Sequence, residues 1–180
     1  MARIRCAWGK FREMSGLLLK KGVSLKLKGK VYAACVRSAM VYGSETWAMT
    51  VDQKTRTERA ENRMLRWMCG VSLKDKVAVW QLRERMGIEC VTDIVRRGRL
   101  RWLGHVLRKD DDDWIKKSMC IEVDGVRGRG RPRMTWSQVV EKDLRDAGLK
   151  KTDAVDRARW RNRIWSATGQ PLRRGENGRQ

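Results

Sequence analysis

The chain has 180 residues, enough for one compact domain or two small subdomains, and a domain of this size buries about 70% of its unfolded surface. Lys and Arg number 42 against 21 Asp and Glu, a formal net charge of +21 with a pI near 10.7. This excess makes nucleic acid the first partner class to consider and an anionic membrane surface the second, while a basic protein that uses its charge for nothing specific is the remaining alternative.

The five cysteines are scattered, odd in number and without a C-x-x-C pair: Cys6, Cys35, Cys69, Cys90 and Cys120. This pattern favours reduced thiols in an intracellular protein, nuclear or cytoplasmic, over a disulfide framework or a zinc knuckle. The sequence shows neither a secretory leader nor an apolar run near 18 residues, so we expect a protein that is not secreted and does not span a membrane.

The first 50 residues form one predicted helical segment. Apolar side chains repeat with a period near 3.6 over residues 2–20, which predicts an amphipathic helix. A second apolar segment, residues 31–42, indicates a buried helix, although Val41-Tyr42 could also begin a short strand. Thr50 and Gln53 then have the T-x-x-Q form of a capping box and predict a helix that ends at Gly70.

Along this helix four arginines recur at i, i+3, i+7 and i+10 beside an apolar stripe: Arg56, Arg59, Arg63 and Arg66. The spacing predicts a basic face next to a core face. A shorter helical pattern follows over residues 76–87.

Residues 94–108 make the most informative stretch. On a helix at about 100° per residue, Arg97, Arg101, His105 and Arg108 fall within an arc of roughly 80°, with apolar residues on most of the opposite side. Thr92 or Asp93 is the expected cap. The pattern predicts a buried face and a cationic face that grips a polyanion, with a merely solvated face as the alternative. Arg96 and Arg99 fall inside the apolar arc, so they must snorkel or find acidic partners.

Four aspartates, Asp110 to Asp113, follow this helix. They are expected to cap the next helix, which begins at Trp114, or to neutralise basic neighbours, and a divalent metal site is the less favoured alternative. The basic helical domain is predicted to cover residues 51–122.

Residues 123–133 are rich in Gly and Arg and predict an extended linker. Arg129-Gly130-Arg131-Pro132 resembles an AT-hook, a segment that lies in the narrow minor groove of A·T-rich DNA. Minor-groove contact, general phosphate contact and an inert linker are the three interpretations.

A C-terminal helical pair is predicted over residues 134–168. Thr135 and Gln138 form a second T-x-x-Q box, and Thr152 or Asp153 is expected to cap the last helix. Residues 169–180 are expected to be disordered. The predicted fold is therefore all-α, a small irregular bundle of about six to eight helices with a Gly/Arg-rich linker and a disordered tail.

Catalytic motifs are missing from the sequence. It contains no Tyr- or Phe-x-Asp-Asp turn for a polymerase metal pair, no nucleophile near its single histidine and no Gly-rich phosphate loop. We therefore expect no enzymatic activity from this chain alone, no cofactor and no metal.

Five blocks in order carry a family resemblance: LKGKVY at 27–32, VYGSETWA at 41–48, MLRWMCG at 64–70, RLRWLGHV at 99–106 and GRGRP at 128–132. Over residues 2–165 the chain resembles the C-terminal part of the reverse transcriptase polyprotein of LINE-type, non-LTR retrotransposons. The resemblance implies that residues 1–50 are thumb-like and that residues 51–165 are a basic extension that holds element RNA or target DNA. The palm with its catalytic aspartates and the endonuclease are not part of this sequence.

The resulting hypothesis is a nucleic-acid-binding fragment of an RNA-directed DNA polymerase that is inactive alone. A non-functional remnant of a retroelement and a basic adaptor for an acidic protein are the alternatives. The expected nucleic-acid contacts are Arg97, Arg101, Arg108, Arg56, Arg59, Arg63, Arg66, Arg127, Arg129, Arg131 and Arg133.

Overall fold

The computed structural model describes residues 2–121 and 134–168, and every regular element within these ranges is helical. The all-α prediction is confirmed. The strand considered at Val41-Tyr42 is wrong, because the helix continues through Val41 and the chain then turns at Gly43. The predicted linker, residues 123–133, and the predicted disordered tail, residues 169–180, lie outside the described residues.

The described ranges contain ten α-helices. Their bounds are α1 Ala2–Glu13, α2 Ser15–Leu18, α3 Leu25–Val31, α4 Ser38–Val41, α5 Val51–Cys69, α6 Val79–Met86, α7 Val91–Leu107, α8 Trp114–Cys120, α9 Trp136–Asp146 and α10 Arg157–Thr168. A π-helical turn, Tyr32–Arg37, joins α3 to α4 into one continuous rod. Two 3₁₀ turns, Ser44–Thr46 and Lys151–Ala154, complete the regular structure in the described ranges.

The first apolar core lies between α1, the α3–α4 rod, α5 and α6. Its side chains come from the periodic apolar positions of these helices, and they are fully or almost fully buried: Ala7, Phe11, Leu18, Tyr32, Val36, Met40, Ala60, Met64, Leu65, Met68, Met86 and Val91. Residues on both sides of residue 50 therefore share one core. The division into segments 1–50 and 51–122 remains a prediction.

A second core lies between α7, α9 and α10, with Leu100, Leu103, Val140, Leu144, Trp160 and Ile164 at its centre. Helix α7 contributes to both cores, since Val91 at its start belongs to the first and Leu100 to the second. The indole N–H of Trp136 also donates to the backbone oxygen of Glu45 at 2.8 Å, which ties α9 to the turn before α5. Helix α7 and the hydrogen bond of Trp136 thus both join the two halves.

The helix ends were predicted with mixed success. The capping boxes of Thr50 with Gln53 and of Thr135 with Gln138 are confirmed. The expected caps of the other two helices are wrong. Neither Thr92 nor Asp93 caps α7, whose N-cap is Cys90, and no side-chain cap forms there. Helix α10 is capped by Asp156, whose carboxylate accepts from the N–H groups of Ala158 and Arg159. Thr152 and Asp153 lie in or beside the preceding 3₁₀ turn instead.

A buried carboxylate replaces the missing cap of α7. Glu61 is fully buried, and its Oε2 accepts from the N–H of Val91 at 3.3 Å and from Arg83 Nη2 at 3.1 Å. Its Oε1 accepts from Arg37 Nε at 3.1 Å and from the Tyr32 hydroxyl at 3.4 Å. Burial, and then the negative charge of Glu61, raise the pKa of Tyr32, so this hydroxyl stays protonated and can donate. Glu61 therefore connects the rod, α5, α6 and α7 at one point.

Candidate nucleic-acid interface

The predicted basic ridge of α5 exists. Arg56, Arg59 and Arg63 are exposed and Arg66 is half-buried, while Met64 and Met68 on the other side of the helix are buried. The spacing places the four arginines within roughly 80° of the helix circumference. One side of α5 therefore faces the core and the other carries cationic side chains towards solvent.

The four arginines are not equally available to a polyanion. Arg56 pairs with Asp52 at 2.9 Å, which neutralises its charge locally. Arg66 donates to the backbone oxygens of Ser72 and Val77, so its guanidinium holds the loop after α5. Arg59 and Arg63 form no ion pair with any carboxylate in the described ranges. They are the free cations of this ridge.

Arg63 lies against two indole rings. Its guanidinium carbon is 5.1 Å from the centre of the Trp67 ring and 5.9 Å from that of Trp8, within the distance of a cation–π contact. The two indoles meet edge to face with their centres 5.3 Å apart. Trp67 is 47% exposed. Helices α1 and α5 thus present an aromatic and cationic surface at their seam.

Two further arginines belong to this seam and were missed as site residues. Arg5 and Arg12 are exposed and lie three residues before and four residues after Trp8 on α1. This helical spacing is visible in the sequence and was the available signal. It became informative only when the contact between α1 and α5 brought Trp8 to Trp67.

The outward basic face predicted for α7 needs a correction at Arg97. This residue is buried and pairs with Glu89 at 2.8 Å, donates from Nε to the Thr168 hydroxyl, and lies 4.0 Å from the centre of the Trp165 ring. Helix α10 packs over this side of α7, which the periodicity of α7 alone could not reveal. Arg97 is thus a packing residue that holds α10, and its guanidinium is engaged inside the fold.

Arg108 and Arg101 also differ in their exposure and in whether their guanidinium groups are engaged within the fold. Arg108 is half-buried and donates from Nη1 to the backbone oxygen of Ala154 at 2.7 Å. Arg101 is exposed and pairs with no carboxylate in the described part of the chain, and His105 beside it is exposed too. The predicted cationic face of α7 is thereby reduced to the Arg101 position.

Arg96 and Arg99, which lie on the apolar side of α7, both pair with acidic residues. Arg99 pairs with Asp143 of α9 at 2.7 Å, and Arg96 lies 3.5 Å from Asp146 and 3.8 Å from Asp143. Burial raises the pKa of Asp143, while the neighbouring Arg99 and Arg96 act to lower it. Of the two expected alternatives, snorkelling or an acidic partner, the structure shows the acidic partner, which α9 supplies for both arginines.

The aspartate run acts as a cap and as a charge partner. The carboxylate of Asp113 accepts from the N–H of Ile115 at 2.9 Å and so caps α8. Three lysines pair with the run: Lys109 with Asp113, Lys116 with Asp111 and Lys117 with Asp112. Among the described residues, no group of three or more His, Cys, Asp or Glu side chains could hold a metal ion.

Arg127, Arg129, Arg131 and Arg133, with the AT-hook-like segment, lie outside the described residues. In the two described ranges, none of the helices combines the length and apolar character needed to cross a bilayer.

Comparison with known proteins gives one informative similarity. No protein-family model and no solved structure matches the chain. It is 24% identical over 172 residues to an uncharacterized transposon-derived protein of Caenorhabditis elegans. The match covers 88% of this chain and 61% of that protein, so the chain spans about three fifths of the length of this relative. The similarity supports a transposon origin, the coarser part of the family resemblance.

Proposed function

We propose that the chain is a nucleic-acid-binding fragment of a LINE-type retrotransposon reverse transcriptase, with no polymerase activity of its own. The observation that carries the proposal is that three exposed arginines, Arg59, Arg63 and Arg101, pair with no carboxylate of the described residues, on a protein with a formal charge of +21. The similarity to a transposon-derived protein and the five sequence blocks support the retroelement origin.

Binding in this proposal is mainly electrostatic. Guanidinium groups contact phosphate oxygens of element RNA or target DNA, and the counterions released from the backbone drive association. Arginines already paired within the fold, such as Arg56 and Arg99, contribute little because a carboxylate competes with the phosphate. The surface therefore holds nucleic acid without reading its sequence, unless residues 127–133 add contacts in the minor groove.

Fluorescence anisotropy with labelled RNA and DNA tests the proposal. The double variant Arg59→Gln, Arg101→Gln should bind at least about tenfold more weakly at physiological salt, because two phosphate contacts are lost. The matched control is Arg56→Gln, Lys151→Gln, which removes the same charge from side chains that pair with Asp52 and Glu141. Equal losses in the two double variants would refute specific use of the free arginines.

A non-functional remnant of a retroelement is the second candidate, and the similarity to an uncharacterized transposon-derived protein favours it. A remnant that has lost its packing partners should bind hydrophobic dyes and melt without cooperativity. A cooperative melt together with nucleic-acid binding at physiological salt would exclude it.

Polyglutamate that displaces the labelled RNA more effectively than unlabelled RNA does would favour an adaptor for an acidic protein.

A further inference from the structure

The seam between α1 and α5 combines aromatic surface with positive charge. Trp8, Arg63 and Trp67 contact one another there, and together with the exposed Arg5, Arg12 and Arg59 of the same two helices we call these six residues the seam platform. In an ordinary helix seam, a tryptophan is covered by its neighbour. Here Trp67 leaves nearly half of its surface to solvent, although its ring also contacts Trp8 and Phe11.

The guanidinium of Arg63 is held in a position that suits stacking. It lies over both indoles and pairs with no carboxylate in the described ranges, so its donors remain available to a ligand. Nucleic-acid bases stack on indole rings and on guanidinium planes alike. A base placed on this surface would add to the existing cation–π contact of Arg63 with Trp67.

Three further exposed arginines lie on the two helices that carry Trp8, Arg63 and Trp67. Arg59 lies one helical turn from Arg63 on α5, and Arg5 and Arg12 flank Trp8 on α1. Glu13 on α1 pairs with Lys10 at 2.8 Å and Asp52 on α5 pairs with Arg56 at 2.9 Å, while Glu58, next to Arg59, forms no ion pair within the described ranges. Arg5 and Arg12 on α1 and Arg59 on α5 thus supply exposed positive charge from both helices of the seam for the phosphates of a bound strand.

We propose that the seam platform binds single-stranded nucleic acid, with unpaired bases stacked on Trp67 and Arg63 and phosphates held by Arg5, Arg12 and Arg59. Duplex hides its base faces inside the helix, so it can use only the arginines. This inference rests on the proposed nucleic-acid binding and adds to it the strand type and the residues that select it.

Anisotropy titrations of the full chain compare oligothymidine of about 16 nucleotides, the upper end of the site sizes of single-strand-binding folds, with a duplex of equal length. Trp67→Leu removes the aromatic face but keeps an apolar side chain to pack on Trp8. It should weaken oligothymidine binding about tenfold, equivalent to about 1.4 kcal/mol, and change duplex binding less than about twofold. Trp67→Phe should restore most of the single-strand affinity.

Two more variants sharpen the test. Arg63→Lys keeps the charge but loses the planar guanidinium, so it should also weaken oligothymidine binding more than duplex binding. Trp80→Leu is the matched control, because Trp80 is exposed on α6 and lies outside the seam. It should leave both affinities unchanged. A thermal melt of each variant confirms that the fold is retained.

The outcomes separate the two proposals. Parent protein that binds neither oligonucleotide at physiological salt overturns the nucleic-acid function and the platform together. Parent protein that binds both, with Trp67→Leu weakening single strand and duplex equally or behaving like Trp80→Leu, overturns the platform alone. A selective loss of single-strand affinity in Trp67→Leu, restored in Trp67→Phe, supports it.

Discussion

Loss of the Glu61 carboxylate should strongly destabilise the fold. The Glu61 side chain is 0% exposed and that of Arg37 only 5%, with 2.9 Å between Glu61 Oε1 and Arg37 Nη2. Arg83 Nη2 lies 3.1 Å from the other carboxylate oxygen. Removing one partner of a buried ion pair costs about 3–5 kcal/mol, because the other charge is left in a poorly solvated site.

Glu61→Ala should therefore lower the free energy of unfolding by about 3–5 kcal/mol, a large share of the roughly 5–15 kcal/mol typical of a folded domain. Glu61→Gln keeps the size and one acceptor, while Arg37 keeps its bond to the Glu89 backbone oxygen and Arg83 its bond to Asn62. Its cost should be smaller, about 2–3 kcal/mol.

Urea unfolding followed by far-UV circular dichroism measures these differences, provided that the slopes against urea agree among variants. Asp52→Asn is the control on the same helix, because its ion pair with Arg56 is exposed and worth about 1 kcal/mol or less. If Glu61→Gln costs no more than Asp52→Asn, the carboxylate does not organise the four elements around it, and the reasoning from its burial is wrong.

The remaining predictions concern helix packing, the buried arginine and acid sensitivity. Gly104→Ala should destabilise the fold by about 1–3 kcal/mol, because the added methyl group meets the Trp160 ring. Gly98→Ala in the same helix places its methyl group in open space and should stabilise the fold by up to about 1 kcal/mol. Thermal melts that rank these two variants in the opposite order would contradict the close contact of α7 with α10. Arg97→Gln should lower the free energy of unfolding by about 2 kcal/mol in urea, because Arg97 is engaged by Glu89 and Thr168. For the same reason it should weaken RNA binding less than Arg101→Gln does. A loss of RNA affinity as large as that of Arg101→Gln would place Arg97 in the interface. The N–H of Lys150, and then Arg163, hold the pKa of Asp153 below its usual 3.8, so the stability that this carboxylate contributes is present above that value and lost as pH falls through the folded-state pKa. The parent should lose more stability than Asp153→Asn between about pH 5 and pH 2, and parallel losses would contradict the shift.

Local sequence patterns predicted the helices well because their signals are contained within a few turns. The T-x-x-Q boxes at Thr50 and Thr135 need only residues three apart, and both formed. The acidic partners of Arg99 could be anticipated because a charge on an apolar face must be compensated, and Asp143 supplies the compensation. These features follow from rules that act at short range or from charge balance.

The site was harder to predict because exposure depends on which helices pack together. Arg97 and Arg101 are one helical turn apart and look alike in the sequence, yet α10 covers only the first. The prediction of the α7 cap was wrong for the same reason. The N–H of Val91 donates to Glu61, which lies 30 residues away in sequence and is brought to this helix end only by the packing of the core. The seam platform likewise needed the pairing of α1 with α5.

The salt dependence of nucleic-acid binding tests the proposed function most directly. If the free arginines and their neighbours neutralise about five phosphates on duplex DNA, log K should fall against log salt with a slope near −4.5, at about −0.9 per phosphate. In Arg59→Gln, Arg101→Gln the slope should become shallower by about 1.8. A flat salt response in the parent, or an unchanged slope in the variant, would show that these arginines do not hold nucleic acid.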